Sequence, residues 1–196
     1  MPVLVRPATH EDLEPLSGVL TRAFQHDPML RWMFPGEKSW ARWSPRMWSL
    51  TMRAELKNGT VFTNDELQGV AVWRDPALGP ASMSSLLRST FPMIAYLGIR
   101  SPLIFRGFQR LIALHPPEPH WYLTVIGTDP QHQGKGIGAA LLRTILAKCE
   151  TEGLPAYLEA SRPENVPYYL RQGFSVVGEV QLPKGPKVWR MLYQPE

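Results

Sequence analysis

The spacing of apolar residues divides the first part of the chain into a short strand and several helices. Val3-Leu4-Val5-Arg6 has the composition of a strand, and apolar residues between Leu13 and Phe24 recur at helical spacing. The sequence Thr9-His10-Glu11-Asp12 resembles a helix-capping box and predicts the start of this helix, which Asp27-Pro28 ends. One short and one longer helix are predicted between Met29 and Leu56.

The middle of the chain predicts a hairpin and a helical insertion. Residues 60–63 and 68–73 alternate as strands do, and they flank the turn residues Asn64-Asp65, which indicates an antiparallel pair. From Ala81 to His115 two apolar stretches of helical period are separated by Gly98 and Pro102. We therefore expect residues 81–117 to form a helical insertion before the next strand.

The second half of the chain predicts a strand, a loop, a helix and a strand, followed by a hairpin. The residues 121–126 are β-branched and aromatic, 137–152 carry a helical apolar stripe, and 156–160 read as a strand, so two parallel strands flank one helix. A short helix over 165–172 ending at Gly173 and two strands over 174–180 and 188–193 complete the chain. The pattern predicts a mixed α/β (α+β) fold.

Composition limits the class of protein. The 196 residues are 44% hydrophobic and 19% charged, which excludes a disordered chain and favours a single domain over residues 1–196. The net charge of +4 without a basic run suits an anionic ligand and does not predict nucleic-acid binding. The single cysteine, Cys149, excludes an intramolecular disulfide and a multi-thiolate metal site, so no metal is expected. With no export signal and no membrane-spanning stretch recognised, we expect a cytoplasmic protein.

The strongest chemical signal is the glycine-rich segment 131–140. Gly134, Gly136 and Gly138 lie between a predicted strand and a predicted helix, where backbone N–H groups at the positive end of the helix dipole form an anion cradle. The spacing fits neither a P-loop nor a dinucleotide fingerprint, because Leu141 stands where a third glycine would be required. The alternative is a glycine-rich turn that lets the helix pack close to the sheet.

This loop resembles the pyrophosphate loop of the GNAT superfamily of N-acetyltransferases, [RQ]-x-x-G-x-[GA], which Gln133 to Gly138 match at every defined position. Two further segments resemble the superfamily in order: Thr128-Asp129-Pro130 at the end of the fourth strand, and Asn165 to Phe174. Residues 115–123, 157–161 and 183–191 are similar to puromycin N-acetyltransferase and its relatives. The resemblance is strong from about His120 to Met191.

The resemblance implies a fold and a co-substrate. The fold would be a mixed, mostly antiparallel sheet whose parallel fourth and fifth strands splay apart, and the co-substrate would be acetyl-CoA, with no metal. Ile126, Gly127 and Thr128 stand where the family's strand carries a β-bulge that contacts the pantetheine arm. Asn165 would face that arm or cap its helix. The residues expected to hold the pyrophosphate are Gln133, Gly134, Lys135, Gly136, Ile137, Gly138 and Ala139, with Lys135 and Arg143 either adding charge near the 3′-phosphate or remaining solvated.

Acetyl transfer to an amine needs a base, because an alkylammonium of pKa about 10 must lose a proton before attack. Glu159, at the carboxyl end of the fifth strand, is the candidate, and the alternative is a salt-bridged carboxylate with no catalytic role. His120 and His132 are weaker candidates, expected to be solvated or capping histidines.

The leaving thiolate needs a proton donor, and the resemblance implies that Tyr169, four residues before Gly173, supplies it. Tyr168 is the competitor, about 100° away around the same helix. The remaining alternative is that both tyrosines belong to the core.

The acceptor pocket is expected from the N-terminal helices and the insertion, and the abundance of tryptophan favours a bulky or aromatic amine. We expect an N-acetyltransferase that acts on a primary amine of a small, antibiotic-like molecule by direct attack on the thioester, with homodimerisation as a further expectation. The alternatives are a protein or peptide N-acetyltransferase, a non-catalytic acyl-CoA-binding regulator and, more remotely, a nucleic-acid-binding protein. The alternative for the wall residues, and the favoured one for any single tryptophan, is that they fill the core. The candidate wall residues are Phe24, His26, Asp27, Trp32, Trp43 and Trp73.

Overall fold

The computed structural model describes residues 3–79 and 100–196. Its strands are β1 (Val5–Pro7), β2 (Val61–Asn64), β3 (Gly69–Arg74), β4 (Trp121–Thr128), β5 (Ala156–Ala160), β6 (Ser175–Gln181) and β7 (Lys187–Tyr193). Its helices are α1 (Leu13–Ala23), α2 (Pro28–Met33), α3 (Glu37–Leu56), α4 (Ser101–Ile112), α5 (Ile137–Glu152) and α6 (Val166–Leu170). The predicted insertion lies outside the described residues up to residue 99, and its remaining part contains α4.

All seven strands belong to one sheet, in the order β1-β2-β3-β4-β5-β7-β6. Every neighbouring pair is antiparallel except β4 and β5, which are parallel. The parallel pairing is limited to Trp121 with Ala156 and Tyr122 with Tyr157, after which the two strands separate. This confirms the mixed sheet with a splayed central pair that the sequence predicted.

The β-bulge of β4 lies at Thr124 and not at residues 126–128, where the resemblance placed it. Val72 of β3 pairs with Val125 and Trp73 pairs with Leu123, so Thr124 is the extra residue. Ile126, Gly127 and Thr128 pair regularly with β3. An extra residue reverses the alternation of side chains, and Leu123 and Val125 accordingly pack in different cores.

Two apolar cores cover the two faces of the sheet. Helices α1 to α4 pack on one face with Val70, Val72 and Val125, whereas α5 packs on the other with Trp73, Leu123 and other residues of the sheet. The helix α5 and the strand β5 begin and end at the residues that the sequence predicted. No helix within residues 3–79 and 100–196 is both long and apolar enough to cross a membrane.

The start of α1 differs from the predicted capping box. Asp12 precedes the helix, and its carboxylate accepts the Thr9 N–H at 2.8 Å and the Arg6 guanidinium at 2.7 Å. The Thr9 hydroxyl donates to the same carboxylate. The acidic residue therefore satisfies the backbone before the helix, while Thr9 caps no helical N–H as the sequence interpretation required.

Candidate active site

The loop between β4 and α5 has the backbone conformation of an anion cradle. Gly134 and Gly136 have φ angles of 76° and 82°, which L-residues with a side chain rarely adopt, and a Cβ at either position would meet no atom within 4 Å. Conformation rather than close packing therefore requires these two glycines. The loop is exposed and α5 begins at Ile137, so the first N–H groups of the helix lack intrahelical acceptors. These features fit a pyrophosphate.

Gly138 differs from these two glycines, because it allows the close approach of the Tyr168 side chain. A Cβ on Gly138 would lie 2.9 Å from the Tyr168 hydroxyl oxygen, so this hydroxyl lies against the first turn of α5. The hydroxyl is buried and has no hydrogen-bond partner among the described residues, and burial raises the pKa of Tyr168 to about 12. The packing explanation for the glycine-rich segment thus applies to one of its three glycines.

Gly127 also serves close packing. A Cβ there would lie 2.8 Å from Leu20 Cδ2 and 3.1 Å from Phe24 Cε2, so glycine lets α1 approach β4.

A second contact joins α1 to the loop between β4 and α5, residues 129–136, which is called the anion-binding loop. Arg22 Nε donates a hydrogen bond to Asp129 Oδ2 at 2.8 Å, and Asp129 is the first residue of this loop. Burial acts to raise the pKa of Asp129, but the hydrogen bonds from Arg22 and the Gln131 N–H outweigh it and lower this pKa.

A cleft of about 380 Å³ opens where β4 and β5 separate, and it brings together four of the predicted site residues. Tyr169, Glu159, Asn165 and Ile126 all line it. The other predicted cofactor-binding residues lie outside its lining, at the end of β4, in the exposed loop and in the first turn of α5, where Ile137 is buried. Those residues are Gly127, Thr128, Gln133, Gly134, Lys135, Gly136, Ile137, Gly138 and Ala139.

Glu159 lies in a buried polar network at the base of the cleft. Its Oε2 accepts the Tyr122 hydroxyl at 2.8 Å, and its Oε1 lies 3.1 Å from His115 Nε2. The side chains of His115 and Glu159 are 6% and 7% exposed. Burial beside this carboxylate raises the pKa of Tyr122 far above its ordinary value, so Tyr122 stays protonated and holds Glu159 as an acceptor. The sequence did not identify His115 or Tyr122 as functional residues. The one signal for Tyr122 is its predicted position on a strand beside β5, where it pairs with Tyr157 and so lies on the same sheet face as Glu159.

His120 and His132, which the sequence considered as weaker candidate bases, do not line the cleft. His120 is buried, and its Nδ1 lies 2.7 Å from the Glu118 carbonyl, so the expectation of a solvated or capping histidine is wrong there. Burial lowers the pKa of His120 and favours the neutral ring. His132 lies in the anion-binding loop with its Nδ1 3.2 Å from Lys135 Nζ.

Tyr169 lines the cleft, whereas Tyr168 does not. Its ring packs against Phe174, with centroids 5.9 Å apart, while the Tyr168 ring stands at 66° to it. Burial, with smaller contributions from Tyr168 and Asp27, raises the pKa of Tyr169 above its ordinary value. Tyr169 is therefore a protonated hydrogen-bond donor at neutral pH.

Asn165 precedes α6, but its side chain makes no capping hydrogen bond. The capping explanation for this residue is therefore wrong. Asn165 is exposed and lines the cleft, where its amide is available to a ligand.

The part of the cleft formed by α1 to α4 is lined mainly by apolar residues, and it is the part where the sequence interpretation placed the acceptor. Phe24 and Asp27 line it as predicted, and Asp27 also caps α2 by accepting the Met29 and Leu30 N–H groups, each at 3.0 Å. The predicted wall residues His26, Trp32, Trp43 and Trp73 do not line it, and Trp73 packs on the other face of the sheet. The apolar residues that replace them are Met29, Leu30, Met33, Met47, Trp48, Phe108, Leu111 and Ile112.

Residues 94–174 match the acetyltransferase (GNAT) family model. An uncharacterized N-acetyltransferase of Schizosaccharomyces pombe is 27% identical over 175 residues, which are 84% of this chain and 71% of the relative.

Three solved structures share the fold. A protein of Corynebacterium glutamicum, described as histone acetyltransferase HPA2 and related acetyltransferase, has a TM-score of 0.67 and 24% identity, covering 100% of this chain and 98% of its own. An apo agmatine N-acetyltransferase mutant has a TM-score of 0.68 and 16% identity, covering 98% and 99%. PaiA N-acetyltransferase of Thermoplasma acidophilum, in complex with coenzyme A, has a TM-score of 0.60 and 14% identity, covering 99% of each chain.

Proposed function

Because the chain belongs to the GNAT superfamily of N-acetyltransferases, we propose that it transfers an acetyl group from acetyl-CoA to a primary amine of a small molecule. The observation that carries the proposal is the cleft at the separation of β4 and β5, which Glu159 and Tyr169 both line. A carboxylate acceptor and a protonated hydroxyl donor in one cavity match the two proton transfers that the reaction requires.

The anion-binding loop supplies the site for the donor. Gly134 and Gly136 leave the N–H groups before and within the first turn of α5 open to a pyrophosphate, and the Tyr168 hydroxyl lies against the same turn. When bound, the co-substrate supplies an activated acetyl thioester. The CoA complex of the PaiA protein, which shares this fold, supports the choice of donor.

The catalytic roles follow from the positions around the cleft. Glu159 takes a proton from the substrate ammonium, while the Tyr122 hydroxyl holds its carboxylate in place. Tyr169 donates a hydrogen bond to the departing sulfur. The Thr124 bulge leaves backbone groups of β4 outside the β3 ladder, where they can contact the thioester carbonyl.

The lining of the cleft favours a small acceptor with an apolar body. The walls from Phe24 to Ile112 are mostly methionine, leucine and aromatic side chains, and the volume of about 380 Å³ suits a small molecule rather than a folded protein surface. α4 closes one side of the cleft, which disfavours a long extended peptide. The agmatine acetyltransferase that shares the fold acts on an amine of this size class.

The test is release of free CoA from acetyl-CoA, read with a thiol reagent, across puromycin, an arylalkylamine, agmatine, spermidine and a lysine-containing peptide. Cys149 is buried and burial raises its pKa to about 12, so it contributes little background, which a protein-only sample checks. We expect turnover on an amine with an apolar body and a loss of about 100-fold or more in kcat in Tyr169→Phe. Tyr193→Phe is the matched control. Binding of acetyl-CoA without turnover on any amine would instead favour a regulator, and turnover on the peptide alone would favour a peptide acetyltransferase.

A further inference from the structure

A second, smaller cavity lies behind the active-site cleft. Its volume is about 80 Å³, and three residues, His115, Tyr122 and Arg74, line both this cavity and the cleft. Its remaining walls come from the segments around Pro76 and residues 117–120. A space of this size can hold water where polar groups reach it, and Arg74, Asp75 and Glu118 lie in its otherwise largely apolar wall.

His115 is fixed in the wall between the two cavities. Its ring centroid lies 4.7 Å from that of Tyr122, 4.8 Å from that of Tyr157 and 5.5 Å from that of His120. Its Nε2 lies 3.1 Å from Glu159 Oε1. Glu159 Oε1 has no hydrogen-bond partner among the described residues, so this approach of His115 Nε2 is a close contact that is not aligned as a hydrogen bond. The imidazole thus has one nitrogen beside the catalytic carboxylate and also lines the smaller cavity, and a rotation of the ring that aligns the contact would let the histidine pass a proton between them.

We propose that His115 relays the proton that Glu159 takes from the substrate amine and delivers it to the smaller cavity. The proposal rests on the proposed acetyl transfer, since it explains how Glu159 returns to the ionised state. The Tyr122 hydroxyl acts as a positioning group by holding Glu159 Oε2, which leaves Oε1 to exchange the proton with His115.

The proton balance is complete. The ammonium loses one proton to Glu159, Glu159 passes it to His115 Nε2, and the ring releases a proton from its other nitrogen to water in the smaller cavity. The neutral amine then forms the new C–N bond as the C–S bond breaks, and the sulfur leaves as a thiolate that Tyr169 protonates. Tyr169 finishes unchanged once it recovers a proton from the acetylated nitrogen, which sheds its second proton on forming the amide. His115 ends as the neutral tautomer with its proton on Nε2, and it returns to the starting tautomer by releasing that proton to water and taking one up at its other nitrogen.

The groups that face His115 come from four parts of the chain. Glu159 and Tyr157 of β5 and Tyr122 of β4 contact it directly, His120 packs against its ring, and Arg74 of β3 lines the same two cavities. Arg74 is paired with Glu55 at 3.2 Å. Glu159 is thus the carboxylate at exchange distance from the ring within the described residues.

The experiment compares wild type, His115→Ala and His115→Gln on the best acceptor, with His10→Ala as a surface-histidine control. The glutamine amide keeps a hydrogen-bond donor for Glu159 but cannot accept and release a proton, so it separates a relay from a structural contact. We expect kcat to fall at least about tenfold in both His115 variants, with the KM for acetyl-CoA unchanged. Added imidazole should restore turnover in His115→Ala, in proportion to the neutral form of imidazole, and leave His10→Ala unaffected.

Two results would overturn the relay. A folded His115→Gln with wild-type kcat would show that the contact is structural, and a His115→Ala that imidazole cannot rescue would show that the ring transfers no proton. Either result leaves the proposed acetyl transfer intact as long as wild type is active. Wild type without turnover on any amine would overturn the proposed function and the relay with it.

Discussion

Gly136 links the anion-binding loop to α5 through a left-handed backbone with open space around it. Alanine at this position costs about 1–2 kcal/mol of strain, which the loop can relieve only by moving its N–H groups. We expect Gly136→Ala to raise the KM for acetyl-CoA several-fold with a smaller change in kcat, measured by initial rates at varied donor concentration.

Gly153 offers a matched control at the opposite end of α5. Its φ is 65° and a Cβ there would also meet nothing within 4 Å, so Gly153→Ala introduces the same kind of strain. We expect the Tm of Gly153→Ala to fall below that of wild type by about as much as the Tm of Gly136→Ala does, while its KM for acetyl-CoA stays at the wild-type value. Equal KM values in the two variants would contradict an anion-binding role for the loop.

Glu159 is argued as a base, and Glu159→Gln tests this by its pH dependence. The amide cannot take a proton from the ammonium, so we expect kcat/KM at pH 7 to fall about 100-fold. The deficit should shrink as the pH approaches the alkylammonium pKa of about 10, because more substrate then arrives as the free amine. The measurement is kcat/KM of wild type and of Glu159→Gln at pH 7 and at pH 9.5, which shows whether the ratio between them shrinks. A deficit that is independent of pH would assign Glu159 a purely structural role.

The positions of candidate site residues could be predicted where a short stretch of local sequence determines them. The three glycines, Tyr169 and Glu159 lie in short segments whose order and spacing indicate their place in the fold. His115 could not be assigned in this way, because its contact with Glu159 joins residues 44 positions apart through the separation of two strands. The predicted tryptophan walls were wrong for a related reason, since apolar composition does not reveal where in a core a side chain packs: Trp73 lies on the other face of the sheet, and Trp32 and Trp43 belong to the same core as the cleft lining without reaching the cleft.

The element that periodicity described least well is β4. Simple alternation places Leu123 and Val125 on one face, whereas the bulge at Thr124 places them in different cores. Helix α5, by contrast, was predicted to the residue, because Gly136 and Gly153 end its helical pattern at both sides. The sequence of a short apolar strand does not reveal a bulge, whereas a glycine at the end of a helix is a recognisable sequence signal.

Deleting Thr124 tests the function of the bulge. Removing this residue leaves Leu123, Val125 and Ile126 on alternate faces and makes the pairing with β3 continuous. We expect a folded protein with a cooperative melt, measured by circular dichroism, whose turnover is at least about 100-fold reduced, because the backbone groups at the cleft become part of the ladder.

Thr124→Ala is the control for this deletion, since it keeps the backbone and removes only an exposed side chain that lines the cleft without a hydrogen bond to the described residues. Its turnover should remain within a few-fold of wild type. A deletion variant with full activity, or an alanine variant as impaired as the deletion, would refute the backbone role.

At the scale of the whole molecule, helix α1 contacts both the end of β4 and the loop that follows it. Leu20 and Phe24 pack against Gly127 of β4, and Arg22 holds Asp129 at the start of the anion-binding loop. The start of α1 is in turn joined to β1 through Arg6 and Asp12. The N-terminal strand and helix therefore support a site whose chemistry lies mostly in the second half of the chain.

The junction of β1 and α1 predicts how stability depends on pH. The hydrogen bond from Arg6, aided by those from Thr9, lowers the pKa of Asp12 to about 2 against the opposing effect of burial. A carboxyl group with a lowered folded-state pKa stabilises the fold above its unfolded value of about 4, and this contribution is lost as the pH falls from about 4 towards 2. It amounts to about 1–2 kcal/mol, allowing for solvent screening at the partly exposed Arg6. Asp12→Asn should therefore have a free energy of unfolding lower than that of wild type by this amount at pH 7, measured by urea unfolding. The difference between the two proteins should narrow as the pH falls towards 2. A difference that stays constant down to pH 2 would mean that the charge of Asp12 does not stabilise the fold.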